Sequence, residues 1–190
     1  WKGLESRKFL ISYLQKMIPA KRASNDCDIF AALCHAKSDD GKNFEDQEII
    51  DHLLLMLMAA HDTLTSALTN MIYHLAVNSK WQSTLRHELS NANKDALLYE
   101  DLSKCILTEC VFKETLRLFP PLRMIPRRSI NECYIKDIRI PANTSLLLCP
   151  EFSHKISDYW SNAEQFDPER FLPERGEDKS HPFAFVPFGG

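Results

Sequence analysis

The sequence predicts a mainly α-helical fold carrying small antiparallel β-sheets, and three observations lead there. Residues 45–78 contain neither Gly nor Pro and are apolar through their middle, which favours one long helix. Flanking segments at 4–18 and 103–118 place apolar residues on one face at helical spacing. Between 124 and 150 the character changes to short β-like pieces, YIKDIRI and SLLLC, separated by turn signals such as PAN.

Taken in order, the first helix carries Leu4, Phe9, Leu10, Tyr13, Leu14, Met17 and Ile18, and Pro19 is placed to end it. A short helix over 27–37 and the polar loop KSDDGKN follow. The long helix opens on Glu45, Asp46 and Glu48, acidic groups that complement the positive end of a helix. Its length approaches ~50 Å at ~1.5 Å per residue, and its apolar middle predicts a path through the protein centre. A helix over 80–92 precedes the one at 103–118, whose inner face is Ile106, Leu107, Cys110, Val111 and Leu118 before Pro120-Pro121 stops it. A short helix near 153–160 leads into residues 161–190, which are rich in Pro, charge and aromatics and lack periodicity. So long an irregular segment implies that something specific holds it.

Composition narrows the function. Apolar residues make up 44% and charged residues 26% of 190, ordinary values for a globular protein. A net charge of −3 with only short basic clusters argues against a nucleic-acid partner. Six cysteines without CxxC spacing fit a reducing compartment, and the longest apolar run, 53–60, is too short to span a membrane. These features favour a cytoplasmic protein, with membrane association of a longer parent undetermined. The opening WKGLESRKF and the ending FAFVPFGG read as a piece of a longer chain.

Two polar groups occupy apolar surroundings. In AAHDTLT, residues 59–65, Asp62 and Thr63 directly follow the apolar run and are expected at buried depth. Thr63 can bond back to the Ala59 carbonyl and bend the helix. Alternatively, Ala59 and Ala60 leave room for a ligand to which Thr63 presents its hydroxyl, with Asp62 linked to a proton source. In KETLR, residues 113–117, Glu114 and Arg117 share a helix face within apolar neighbours. A buried Arg has five donors to satisfy, which predicts a third partner. Arg170, flanked by Phe166 and Phe171, is the candidate, while Arg175 beside Gly176, Glu177 and Asp178 is expected in solvent. No histidine or cysteine shows metal-ligand spacing, and the FGG ending lacks the GxxxxGK of a phosphate loop.

Together these features resemble the cytochrome P450 monooxygenases, a haem-thiolate family. Ala59-Ala60-His61-Asp62-Thr63 is similar to the oxygen-binding helix motif A/G-G-x-D/E-T, with Ala60 where the pattern usually has Gly. Glu114-Thr115-Leu116-Arg117 is similar to the ExxR pair, PERF at 168–171 supplies the third member, and FAFVPFGG resembles the approach to the haem loop F-x-x-G-x-R-x-C. The resemblance implies one partial P450 domain over 1–190, with a central helix at 45–78, the ExxR helix at 103–118 and the haem-loop approach at 161–190.

It further implies haem b, bound through a cysteine thiolate just past Gly190, so that no residue of this chain ligates the iron. Ala59 and Ala60 would lie near the porphyrin face, Arg127 at a propionate, and Phe188, Gly189 and Gly190 at the loop beneath. Thr63 would offer its hydroxyl on the oxygen side and Asp62 would feed protons. Residues 122–125 would wall the substrate pocket. The implied reaction inserts one atom of O2 into an apolar small molecule with electrons from an external reductase or ferredoxin, and the fragment alone would be inactive. The competing readings are a non-enzymatic helical scaffold or interaction domain and a haem-thiolate isomerase or dehydratase; Asp62-Thr63 favours oxygen activation.

Overall fold

The computed structural model describes residues 2–92 and 98–189. Its elements are α1 (Lys2–Ala23), α2 (Ile29–His35), α3 (Asp46–Val77), α4 (Ser79–Ala92), a 3-10 turn (Tyr99–Lys104), α5 (Ile106–Leu118), four short strands and α6 (Pro150–Ser153). Two further 3-10 turns cover Pro168–Phe171 and Glu177–Lys179. The expected mainly helical architecture with small antiparallel sheets is present. Two compact units divide the chain, Trp1–Asp62 and Thr63–Gly190, with α3 running through the division.

The first unit packs α1, α2 and the start of α3 around Leu14, Ile18, Phe30, Cys34, Ile49, Ile50 and Leu53. Pro19 does not end α1; the helix continues another turn to Ala23. That turn is tethered from outside. Arg22 donates to the Phe44 carbonyl at 3.0 Å and to Asp46 at 2.8 Å, and Lys21 pairs with Asp26 and Asp28. Such contacts offset the hydrogen bond that Pro19 cannot make. Asp28 also caps α2, accepting from Ala31 N–H at 2.8 Å. Leu4, Phe9, Leu10 and Tyr13 are exposed, so only the C-terminal half of the expected apolar face is used.

Helix α3 begins with Glu48 reaching back to accept from the Glu45 N–H at 2.8 Å at the acidic turn. Its middle is not the buried rod that the composition predicts. Leu55, Met56, Leu57 and Met58 are exposed because the first unit's core ends at Leu53 and Leu54.

In the second unit, Met71 and Leu75 of α3 pack with Trp81 and Leu85 of α4 and Val111 of α5. Cys110, Val111 and Leu118 face inward as expected, whereas Ile106 at the first turn of α5 is exposed. Strands β1 (Ile125–Arg128) and β4 (Ser145–Leu148) pair antiparallel, with Ile125 opposite Leu148. β2 (Cys133–Ile135) and β3 (Ile138–Ile140) form a hairpin. The expected helix at 153–160 is instead the single turn α6, started by Pro150 and followed by turns up to Trp160. A second core of Cys110, Trp160, Phe171 and Ala184 sits under the irregular segment. All six cysteines are free.

Candidate functional site

The irregular segment is held by charge buried in the second unit. Glu114 and Arg117 lie one turn apart on α5, and their side chains have no exposed surface. Arg117 Nε and Nη2 donate to the two Glu114 oxygens at 2.7 and 2.9 Å, a two-pronged pairing. Arg170, equally buried, completes the cluster through Nε at 3.1 Å from Glu114 Oε1. The Asp167 N–H donates to the same oxygen at 2.9 Å. Both guanidiniums also donate to carbonyls, Arg117 to His154 and Gln165, Arg170 to Ser161 and Gln165. Trp160 lies against both guanidinium groups, 5.1 and 5.9 Å from its ring.

A second carboxylate closes the network. Glu177 accepts from Arg170 at 2.6 Å, from Arg175 at 2.6 Å and from Ser161 at 2.7 Å. Burial pushes its carboxyl up, but the bonds from Ser161, Arg175 and Arg170 outweigh it and hold the pKa down at about 2. Arg175 is exposed, as expected, and from there it bridges Glu177 and Asp167. Three carboxylates and three guanidiniums balance, so the fully buried Glu114, Arg117 and Arg170 are left without uncompensated charge.

The residues of the oxygen-motif segment all lie in α3, in a more open setting than expected. Ala59, Ala60 and Asp62 are exposed and Thr63 is half-buried. Asp62 does not sit at buried depth: its side chain is 86% exposed and meets His61 Nδ1 at 3.0 Å. The physical reason is the one given for Leu55–Met58; the first unit supplies no layer over this turn. Arg127 is exposed on β1, its Nη1 donating to the Pro126 carbonyl at 3.0 Å. Phe188 is exposed, and Gly189 turns the chain at φ +90°. Gly190 lies outside the described residues. Ala59, Ala60 and Asp62 belong to the first unit; Thr63, Arg127, Phe188 and Gly189 belong to the second.

Gly189 approaches the end of β1 so closely that a Cβ there would meet Ile125 Cδ1 at 3.3 Å. Ile125, Leu148, Phe183, Val186 and Gly189 line a mainly apolar cleft of about 240 Å³. Among the described residues no cluster of His, Cys, Asp and Glu could hold a metal ion. No described helix is long and apolar enough to cross a membrane.

Sequence reasoning missed two residues that organise this unit. Glu88 of α4 accepts from the Leu107 N–H, the Thr108 N–H and the Thr108 hydroxyl at 2.6, 2.9 and 2.7 Å, capping α5 from another helix. His154 is wholly buried, its pKa lowered to about 4 chiefly by desolvation. Neither stands in a local pattern; each is defined by partners remote in sequence.

Fold and site define a class: a helical domain with small sheets, in which a buried Glu–Arg–Arg cluster ties one helix to an irregular loop. The sequence model for "Cytochrome P450" matches residues 1–190. The chain belongs to the cytochrome P450 family. It is 34% identical over 190 residues to a cytochrome P450 136 of Mycobacterium tuberculosis, covering all of this chain and 39% of that protein. It is 32% identical over 182 residues to the cyclooctatin synthase of Streptomyces melanosporofaciens, covering 93% of this chain and 39% of that one. The solved structure of a cyanobacterial CYP120A1 with retinoic acid bound superposes with a TM-score of 0.88 at 32% identity, over 100% of this chain and 44% of that one. The chain thus spans less than half the length of these relatives.

Proposed function

We propose that the full-length protein is a haem-thiolate monooxygenase that inserts one atom of O2 into an apolar organic molecule, drawing electrons from an external reductase or ferredoxin. The observation that carries the reading is the fully buried Glu114–Arg117–Arg170 cluster, which fastens the segment leading to residues 183–190. In the family this segment approaches the cysteine that ligates the iron.

Within each unit taken by itself, the residues present are of kinds that suit a haem. Gly189 keeps a backbone turn free of a side chain where one would press tightly on Ile125, and the cleft beside it is mainly apolar. Ala59 and Ala60 offer only methyl groups on α3, so a flat macrocycle can lie near the helix. The exposed guanidinium of Arg127 suits a propionate. Haem, when bound, supplies the activation of O2 and the oxidising power. In this reading the Thr63 hydroxyl would donate or relay a hydrogen bond on the oxygen side. Asp62, paired with His61 and open to solvent, would take up protons for delivery to the oxygen side. Exposed Leu122 and Met124 would form part of an apolar substrate wall. The cyanobacterial neighbour has retinoic acid, a largely apolar molecule, bound.

The decisive experiment is the spectrum of the full-length protein, reduced and exposed to CO. The absorption band of thiolate-ligated haem is expected; a histidine-ligated spectrum, or no haem uptake, overturns the proposal. Replacing Thr63 with Ala should then raise peroxide release relative to product, and unchanged coupling removes Thr63 from proton delivery.

A further inference from the structure

We infer that His154 is a positioning residue that, in its neutral Nδ1–H form only, ties the C-terminal end of α5 to the backbone of the haem-loop approach at Val186. The proposal rests on the reading of residues 183–190 as that approach.

The partners fix the tautomer. A backbone N–H can only donate, so the Val186 N–H at 2.9 Å requires a bare lone pair on Nε2. A carbonyl can only accept, so the Arg117 carbonyl at 3.2 Å requires the proton on Nδ1. Arg117 answers by donating from Nη1 to the His154 carbonyl at 2.7 Å. Arg117 and His154 therefore exchange two bonds, each from one residue's side chain to the other's backbone. The ring is wholly buried and rests against Phe185, with centroids 5.3 Å apart.

The bond reaches the turn that follows. Val186 receives the side chain through its N–H, and its carbonyl accepts the Gly189 N–H at 3.1 Å. His154 thus sets where the φ +90° turn at Gly189 begins. Through Arg117 it is joined to Glu114 and Arg170, so the buried charge cluster and the loop approach share one hydrogen-bonded chain.

A second proton on the ring would place N–H against N–H at Val186 and break the tie. The environment opposes that proton. Burial of the ring and the Arg117 charge disfavour it, and the Arg117 carbonyl and Glu151 of α6 favour it. Lys155, next in sequence, pairs with Glu151 and tempers its pull. Residues 182–189 contain no ionisable side chain.

The test compares His154→Gln with His154→Asn in the full-length protein. Gln can present an oxygen near the Nε2 position to Val186, while Asn is too short and retains only the donor to Arg117. Hydrogen exchange of the backbone amides in residues 183–189 is the readout, with the CO spectrum taken alongside. We expect exchange within about threefold of the parent for Gln and at least about tenfold faster for Asn. The Asn variant should also convert sooner from the thiolate-type to the non-thiolate CO spectrum as pH falls. Equal exchange in the two variants overturns the inference. Absence of the thiolate band in the unsubstituted protein instead overturns the functional reading, and leaves the exchange comparison intact.

Discussion

Arg170 Nε lies 3.1 Å from Glu114 Oε1 across a sequence separation of 56, and neither side chain has exposed surface. This contact converts an aperiodic tail into a fixed part of the second unit. A buried ion pair adds little beyond a well-packed apolar substitute, but removing one partner strands the other. Arg170→Met leaves the Ser161 carbonyl and Glu177 without that donor and removes one cation from Glu114. We expect a loss of about 3–5 kcal/mol in denaturant unfolding of the full-length protein. Arg175→Ala, at an exposed site, should cost no more than about 1 kcal/mol. Equal losses would show that burial does not set the importance of these arginines.

Acid should weaken the fold in two stages. The folded pKa of His154 lies near 4, below its ordinary 6.5, so the unfolded chain binds more protons between those values. Its contribution, up to about 3 kcal/mol, is complete above pH 6.5 and lost as pH falls through 4. Burial lowers the pKa of His74 as well, adding to the same slope. Glu177, held near 2, contributes above its ordinary 4.5 and is lost only below that value. Unfolding free energy measured from pH 7 to 4.5 should therefore fall, and the fall should be smaller in His154→Gln. An unchanged slope in that variant would mean that His154 is not the buried neutral group described.

The two kinds of residue differ in how far the sequence reveals them. Glu114 and Arg117 share a helix face amid apolar neighbours, so their burial and the need for a third cation follow from local spacing and donor count. Arg170 follows from its flanking phenylalanines. His154 and Glu88 have no such signature, because their partners lie 32 to 37 and 19 to 20 residues away. The error at Asp62 has a different origin. Hydropathy states that residues 53–60 favour burial, but burial also requires an opposing surface, and the first unit provides none past Leu54. Pro19 misleads for a related reason, since the tethers from Arg22 and Lys21 that carry α1 beyond it lie outside the helix.

Glu88 offers a direct measure of capping between helices. Its carboxylate takes two backbone N–H groups at the start of α5, which the helix itself cannot satisfy, together with the Thr108 hydroxyl. The negative charge also suits the positive end of α5. Glu88→Ala should cost about 1–2 kcal/mol in unfolding free energy. Glu88→Gln, which keeps an acceptor and loses the charge, should cost less. If Ala and Gln are equally damaging, charge rather than hydrogen bonding governs the cap.

Gly189 is the position at which local backbone chemistry and the proposed cofactor loop meet. At φ +90° it adopts a conformation that side chains resist, and an added Cβ would approach Ile125 Cδ1 at 3.3 Å. The Cδ1 end of Ile125 would have to give by a few tenths of an ångström to admit the methyl. Gly189→Ala should therefore cost about 1–3 kcal/mol, concentrated in the last turn. Because the Gly189 N–H is bonded to the Val186 carbonyl, faster exchange at Gly189 should accompany the loss. Ile125→Val in the same chain relieves the contact but not the backbone strain, so it should recover only part of the stability. Full recovery would assign the whole requirement for glycine to the approach of β1, and no recovery would assign it to the turn.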